Sequence, residues 1–214
     1  MILQLLPGAI LETLYMVVLS SLFAILIGLP LGVALYQLRP GGIAERPGIY
    51  RVLDAIVNIT RSIPYIILMI LLLPVTKVLI GTSIGSTAML FSLTLAAAPF
   101  FARLVESALL EVDGGIIEAA KAMGSNQREI ILKVLLPEAL PSLVLAATNM
   151  IINLISYTAM AGTLGGGGLG AVAVRYGLYR YQFDVLIVNV AIIVLLVQLV
   201  QWLGTHLSQK LNKK

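Results

Sequence analysis

Five long stretches of the chain carry almost nothing but apolar side chains, and short charged segments separate them. Between Glu12 and Arg39 no residue is formally charged, and Leu14 to Tyr36 is almost entirely apolar. At about 1.5 Å of rise per residue, a helix over that stretch crosses a hydrocarbon core of about 30 Å. The same reading predicts spans over about Val52 to Leu73, Ile84 to Ala102, Pro141 to Leu164 and Val185 to Leu203. The second is the least regular, since Asp54 and Arg61 lie near its start and Pro64 and Pro74 interrupt it. Barrel strands are excluded because the runs are too long and do not alternate, which leaves helices to satisfy the backbone amides in lipid. The predicted fold is all-α: a polytopic membrane bundle of five transmembrane helices, one domain over 1–214, with no internal repeat, low-complexity tract or linker.

Composition sharpens this reading. Hydrophobic residues make up 59% of the chain and charged residues 11%, well away from an ordinary globular balance. Mean hydropathy is +1.02, as expected of a membrane protein. Lys and Arg are retained in cytoplasmic loops, so their distribution orients the bundle. With the N-terminus outside, the inner segments hold Arg39, Arg46, Arg51, Arg61, Arg103, Lys121, Arg128, Lys133, Lys210, Lys213 and Lys214. Only Lys77, Arg175 and Arg180 fall outside. Eleven against three predicts an outer N-terminus, a cytoplasmic C-terminus and a cytoplasmic loop over about 103–138. Because Arg39 is the first Lys or Arg, the N-terminus lacks the basic region of a secretory signal, and span one is expected to be retained. The net charge of +4 reflects the inside bias and does not point to nucleic acid.

The cytoplasmic loop contains the longest polar excursion, "EAAKAMGSNQREIILKVLLPEALP" at 118–141. Ile116, Ala119, Ala120 and Met123, then Ile130, Ile131, Val134 and Leu135, recur at three-to-four spacing and predict two short amphipathic helices. Gly124 is placed to stop the first in a left-handed cap, and Ser125 or Asn126 to start the second, with Glu129 near its positive end. Pro137 and Pro141 are expected to make a corner before span four. Ala119, Ala120, Ala122 and Gly124 form a small-residue knuckle that lets another surface approach; the plainer alternative is a connector packed on its own bundle.

Glu118-Ala119-Ala120, then Gly124, then Val134-Leu135-Leu136-Pro137, resembles the EAA signature of bacterial ABC importer permeases, with Val134 where isoleucine is usual. In that family the loop forms a coupling helix that docks into a separate cytoplasmic ATPase. The resemblance implies coupling roles for Glu118, Ala119, Ala120, Gly124 and Pro137, which match the motif, with Ala122 and Met123 between them. Glu118 would pair with a basic group on the ATPase or cap the first helix. Further likeness runs through "AIVNITRSIPYIIL" at 55–68, "GTSIG" at 81–85, "AAPFFARLVESALLEV" at 97–112 and "GGGGLG" at 165–170. These segments look like the permeases of methionine uptake systems in the bacterial cytoplasmic membrane. That likeness implies a homodimer, two ATPase subunits inside, a methionine-binding protein outside, and alternating-access transport of D- or L-methionine.

Span four carries polar residues of its own. Asn149, Asn153, Ser156, Tyr157 and Met160 share one helical face and are candidates for the substrate path, with Met160 a flexible apolar plug. The bland reading of the asparagines is interhelical hydrogen bonding. Asp54, Asn58, Arg61 and Tyr65 form a similar face on span two, where Arg61 is expected to reach the cytoplasmic interface with Asp54 as candidate partner. Gly28 and Gly32 have the spacing of a close helix contact or a kinked segment.

Other chemistry is poorly supported. Gly165, Gly167 and Gly170 satisfy G-x-G-x-x-G but lack a βαβ unit, which leaves a re-entrant turn or close packing at an outer gate. No P-loop occurs, so ATP-Mg belongs to a partner and the chain is not expected to be an enzyme. There is no cysteine, and the lone His206 sits by the tail, where an interfacial role fits best. No cofactor or metal site is expected. The alternative to an ABC permease is an ion-coupled carrier or channel for a small solute, disfavoured by the missing repeat and the lack of a deep acidic residue.

Overall fold

The structure, a computed structural model, describes residues 2–212, so Lys213 and Lys214 lie outside the described residues. In chain order the helices are α1 (Ile2–Leu38), α2 (Pro47–Ser62), α3 (Tyr65–Ile80), α4 (Ser86–Leu110), α5 (Gly114–Ala122), α6 (Gln127–Glu129), α7 (Leu136–Thr163), α8 (Gly168–Val172) and α9 (Phe183–Leu211). Two π-helical turns, Ile130–Leu135 and Ala173–Leu178, join α6 to α7 and follow α8. Among the described residues there is no strand. Four helices are long and apolar enough to cross a membrane: Leu5–Leu38, Ser86–Leu110, Gln127–Thr163 and Phe183–Leu211. They contain the predicted spans one and five, span four as far as Thr163, and span three from Ser86 onward.

Span two is corrected. Residues 52–73 do not form one rod; α2 and α3 meet at 104°, and the pair makes a fifth span only if counted together. The cause is Pro64. It has no N–H to continue the ladder, and its ring drives the preceding residue out of the helical region, so Ile63 is extended at φ −85° and ψ 122°. Pro74 falls within α3 without ending it.

The core is a seam between α1 and α4. A side chain at Gly28 would come within 2.7 Å of the Ala98 carbonyl oxygen, and one at Gly32 within 2.6 Å of Val105 Cβ. The two backbones therefore approach as closely as glycine allows, the behaviour of small-xxx-small contacts in lipid. Met16, Ala24, Leu93, Ala97, Phe101 and Val105 fill the remainder of the seam and are buried. On the far side, α7 packs on α4 and α9 packs on α7. Gly204 of α9 abuts the side chain of Thr148, and Ser208 Oγ donates to the Pro141 carbonyl at 2.9 Å.

The predicted corner at Pro137 and Pro141 is absent. The helix runs without a break over Gln127–Thr163. The π turn makes this continuity workable, because the Leu136 N–H reaches back to the Ile131 carbonyl just where a proline follows.

The seam yields a prediction. Gly32→Ala, which drives a methyl into α4, lowers stability by about 1–3 kcal/mol. Gly48→Ala, whose added carbon meets nothing within 4 Å, leaves stability unchanged or slightly raised. Thermal unfolding of the two variants in detergent measures the difference.

Candidate functional site

The loop after α4 folds into a tight elbow. Asp113 caps α5 by accepting the Gly115 N–H at 2.7 Å, so Glu118, in the middle of α5, does not cap it. Gly124 closes α5 at φ +84°, where glycine carries no penalty, and the Ser125 N–H reaches the Ala120 carbonyl at 3.1 Å. Asn126 then starts α6 in a full capping box. Its Oδ1 accepts the Glu129 N–H at 3.0 Å, and Glu129 Oε2 accepts the Asn126 N–H at 3.0 Å. Both predicted caps are present, with Asn126 rather than Ser125 in the second.

The faces of α5 differ from the expected stripe. Ile117 and Ala120 point inward, in one core cluster with Ile130 and Leu135, while Ile116, Ala119 and Met123 are exposed. Five of the seven predicted coupling residues, Glu118, Ala119, Ala122, Met123 and Gly124, share the outward side of the elbow, and Met123 is 80% exposed. Ala120 supports that surface from behind. Pro137 stands apart, lining a separate cleft of about 570 Å³ with Glu111, Lys133, Glu138 and Leu211.

Polar contacts tie the elbow's surroundings together. Arg103 of α4 bonds the carboxylates of Asp54 and Glu106, and its Nη2 also donates to Asn58 Oδ1 at 3.0 Å. Asn58 Nδ2 donates in turn to Asp54 Oδ2 at 3.1 Å. The expected partnership of Arg61 with Asp54 is therefore corrected: Asp54 belongs to Arg103. The signal was present in two lone polar pairs, the charged Arg103 with Glu106 and Asp54 with the amide of Asn58, each at helical spacing in an apolar setting. Gln127 Nε2 reaches the Ile43 carbonyl at 3.3 Å and joins the elbow to the segment after α1.

The polar face of α7 divides into two groups. Asn149, Ser156 and Met160 are exposed on the protomer, while Met150, Leu154 and Ala161 on the opposite side are buried. Asn153 and Tyr157 instead line a cavity of about 240 Å³ with Arg61, Tyr65, Leu68 and Phe100. The rings of Tyr65 and Tyr157 stack at 4.5 Å and 11°, and the Tyr65 hydroxyl lies 3.4 Å from Ser92 Oγ. Arg61 lies 5.9 Å from the centre of the Phe100 ring and makes no ion pair among the described residues. Among the described residues, neither Asn149 nor Asn153 has a hydrogen-bond partner.

At the opposite end of the bundle the glycine-rich loop is clasped rather than loose. Glu12 Oε2 accepts the Gly168 N–H at 2.6 Å, Thr13 Oγ1 accepts the Leu169 N–H at 2.9 Å, and Ser86 Oγ donates to the Gly166 carbonyl at 3.1 Å. Sequence reasoning missed Glu12, noting it only as the edge of an uncharged run. His206 stacks on Trp202 at 5.6 Å on an exposed face of α9.

A helical membrane bundle with a capped polar elbow at one end and a small polar cavity within it has the parts of a transport permease. The chain belongs to the family of binding-protein-dependent transport system inner membrane components, which matches residues 24–213. It is 47% identical over 203 residues to a probable D-methionine transport system permease protein of Vibrio cholerae, covering 95% of this chain and 90% of that one. It is 55% identical over 151 residues to the D-methionine transport system permease protein of Escherichia coli, covering 71% of this chain and 70% of that one. A solved chain of the inward-facing MetNI methionine ABC transporter superposes with a TM-score of 0.97 at 47% identity, over 99% of this chain and 98% of its own.

Charge neutralisation around Arg103 can be tested directly. Arg103→Met strands Glu106, which is 4% exposed, and costs about 3–5 kcal/mol. Arg103→Met combined with Glu106→Leu recovers most of that loss. Melting temperatures of the single and double variants in detergent give the comparison.

Proposed function

We propose that this chain is the permease subunit of an ATP-driven importer that carries methionine, in its D or L form, across the bacterial cytoplasmic membrane. Two copies enclose the path, two cytoplasmic ATPase subunits drive it, and an extracytoplasmic binding protein delivers the substrate. The N-terminus lies outside and the elbow in the cytoplasm. The observation that carries the reading is the near-complete overlap with a chain of a methionine ABC transporter, joined to an elbow whose outward face is open.

The elbow works as a lever in this account. Glu118 meets a basic group of the ATPase, and the small side chains of Ala119 and Ala122 let the ATPase surface come close. Met123 supplies a flexible apolar contact. Because Gln127–Thr163 is one helix, displacement of the elbow reaches Asn153 and Tyr157 without a joint to absorb it.

Purified permease with its ATPase and binding protein, reconstituted in vesicles, accumulates methionine only when ATP is supplied on the elbow side; ATP-independent uptake would replace the importer with a carrier. In the same assay Gly124→Val loses uptake or ATPase copurification, since a β-branched residue cannot hold φ +84° without strain. Gly124→Asn, which tolerates that region, retains both.

Orientation has its own test, aided by the absence of native cysteine. Met123→Cys reacts with an impermeant maleimide in inside-out vesicles, not in intact cells, and bound ATPase protects it. Labelling of intact cells would invert the bundle.

A further inference from the structure

The cavity beside Arg61 has features the lever does not use. Helical rise of about 1.5 Å per residue puts Tyr157 and Asn153 about 9 and 15 Å along α7 from Thr163, and Phe100 about 21 Å along α4 from Ser86. Those ends, Thr163 and Ser86, lie together at the glycine clasp. The cavity is thus near the middle of the bundle, where an ionisable side chain is costly and points to function.

Two arginines border this region and are treated differently. Arg103 is held by two carboxylates and an amide. Arg61 faces the cavity with an aromatic ring beside it and no carboxylate among the described residues. The cavity's other walls include the stacked tyrosines, Leu68, Ile63, Ala96, Thr60 and the amide of Asn153, which has no hydrogen-bond partner among the described residues. A guanidinium, a free amide and flat apolar walls suit a small zwitterion with an apolar side chain.

We propose that this cavity is a resting site for the transported amino acid, with Arg61 binding its α-carboxylate and the Tyr65–Tyr157 stack flanking its side chain. The proposal rests on the transport reading and adds to it the residues that hold the substrate. Arg61 supplies paired N–H donors in a plane that matches a carboxylate, which a lysine at the same position reproduces only in charge. Asn153 contributes either a donor to the same carboxylate or an acceptor to the ammonium.

The test is equilibrium binding of radiolabelled methionine and of methionine amide to the permease–ATPase complex in lipid nanodiscs, without the binding protein. The wild-type complex binds methionine saturably and the amide at least about 10-fold more weakly, because the amide cannot give the charge-assisted contact. In Arg61→Gln the acid loses its advantage, and Arg61→Lys restores part of it. Equal binding of acid and amide by the wild-type complex, as when a lipid phosphate occupies Arg61, overturns the site and requires no variant to fold. So does Arg61→Gln with an unchanged preference. ATP-driven vesicle uptake is scored separately: its absence in the wild type removes the transport reading, whereas uptake with no acid preference in binding removes only the site.

Discussion

The backbone contact between α1 and α4 is the constraint on which the other elements depend. In lipid, apolar side chains gain little by leaving hydrocarbon for one another, so helices hold together by close packing and by polar contacts between them. Gly28 and Gly32 bring α1 against Ala98 and Val105. That fixes the far face of α4, which carries Phe100 beside the cavity, Arg103 toward α2, and at its end the chain that enters the elbow. A displaced α4 would misplace all three at once. The same end-to-end alignment seats Glu12 and Thr13 of α1 against the amides of the glycine loop, so one seam registers both ends of the bundle.

Charge is distributed by the same logic. A guanidinium at the edge of a low-dielectric bundle is costly unless its donors are matched. Arg103 solves this with Asp54, Glu106 and Asn58, and in doing so pins α2, whose Ile49, Val52, Ile56 and Ile59 remain exposed on its other side. The amphipathic α2 is therefore held by one polar cluster and the buried Val57 rather than by a broad apolar contact. With Asp54 committed to Arg103, Arg61 makes no ion pair among the described residues. A structural ion pair at Asp54 and an unmatched cation two turns further along the same face of α2 follow from a single choice of partner.

Much of this was legible in the residues. Long uncharged runs marked α1, α4, α7 and α9, because lipid enforces length more strictly than water does. Gly124 and Asn126 announced the elbow through local backbone chemistry that needs no tertiary information. Pro64 was visible as an interruption, yet hydropathy averages over a window and does not register a 104° turn. Pro137 and Pro141 were misleading for the opposite reason: a proline's local cost was apparent, but not the π turn before it that accommodates it. The inward placement of Ala120 and Ile117 in place of Ile116 and Met123 reflects a rotation of α5 set by its contact with the π turn, which helical spacing alone does not determine. The choice of Arg103 over Arg61 by Asp54 depended on how α2 and α4 cross.

That π turn also bears on how force would travel. A sharp corner at Pro137 would let the elbow swing while α7 stayed still. The continuous helix over Gln127–Thr163 instead makes the elbow and the polar face of α7 one body, anchored where Ser208 bonds the Pro141 carbonyl. The π turn lies between the capping box and the first proline and keeps that rod continuous. Tilting of the rod about the α9 contact alters the spacing between Tyr157 on α7 and Tyr65 on α3. The stacked ring pair is then the element most sensitive to motion of the elbow, because ring stacking falls away over a displacement of a few ångströms while the packed α1–α4 seam stays fixed.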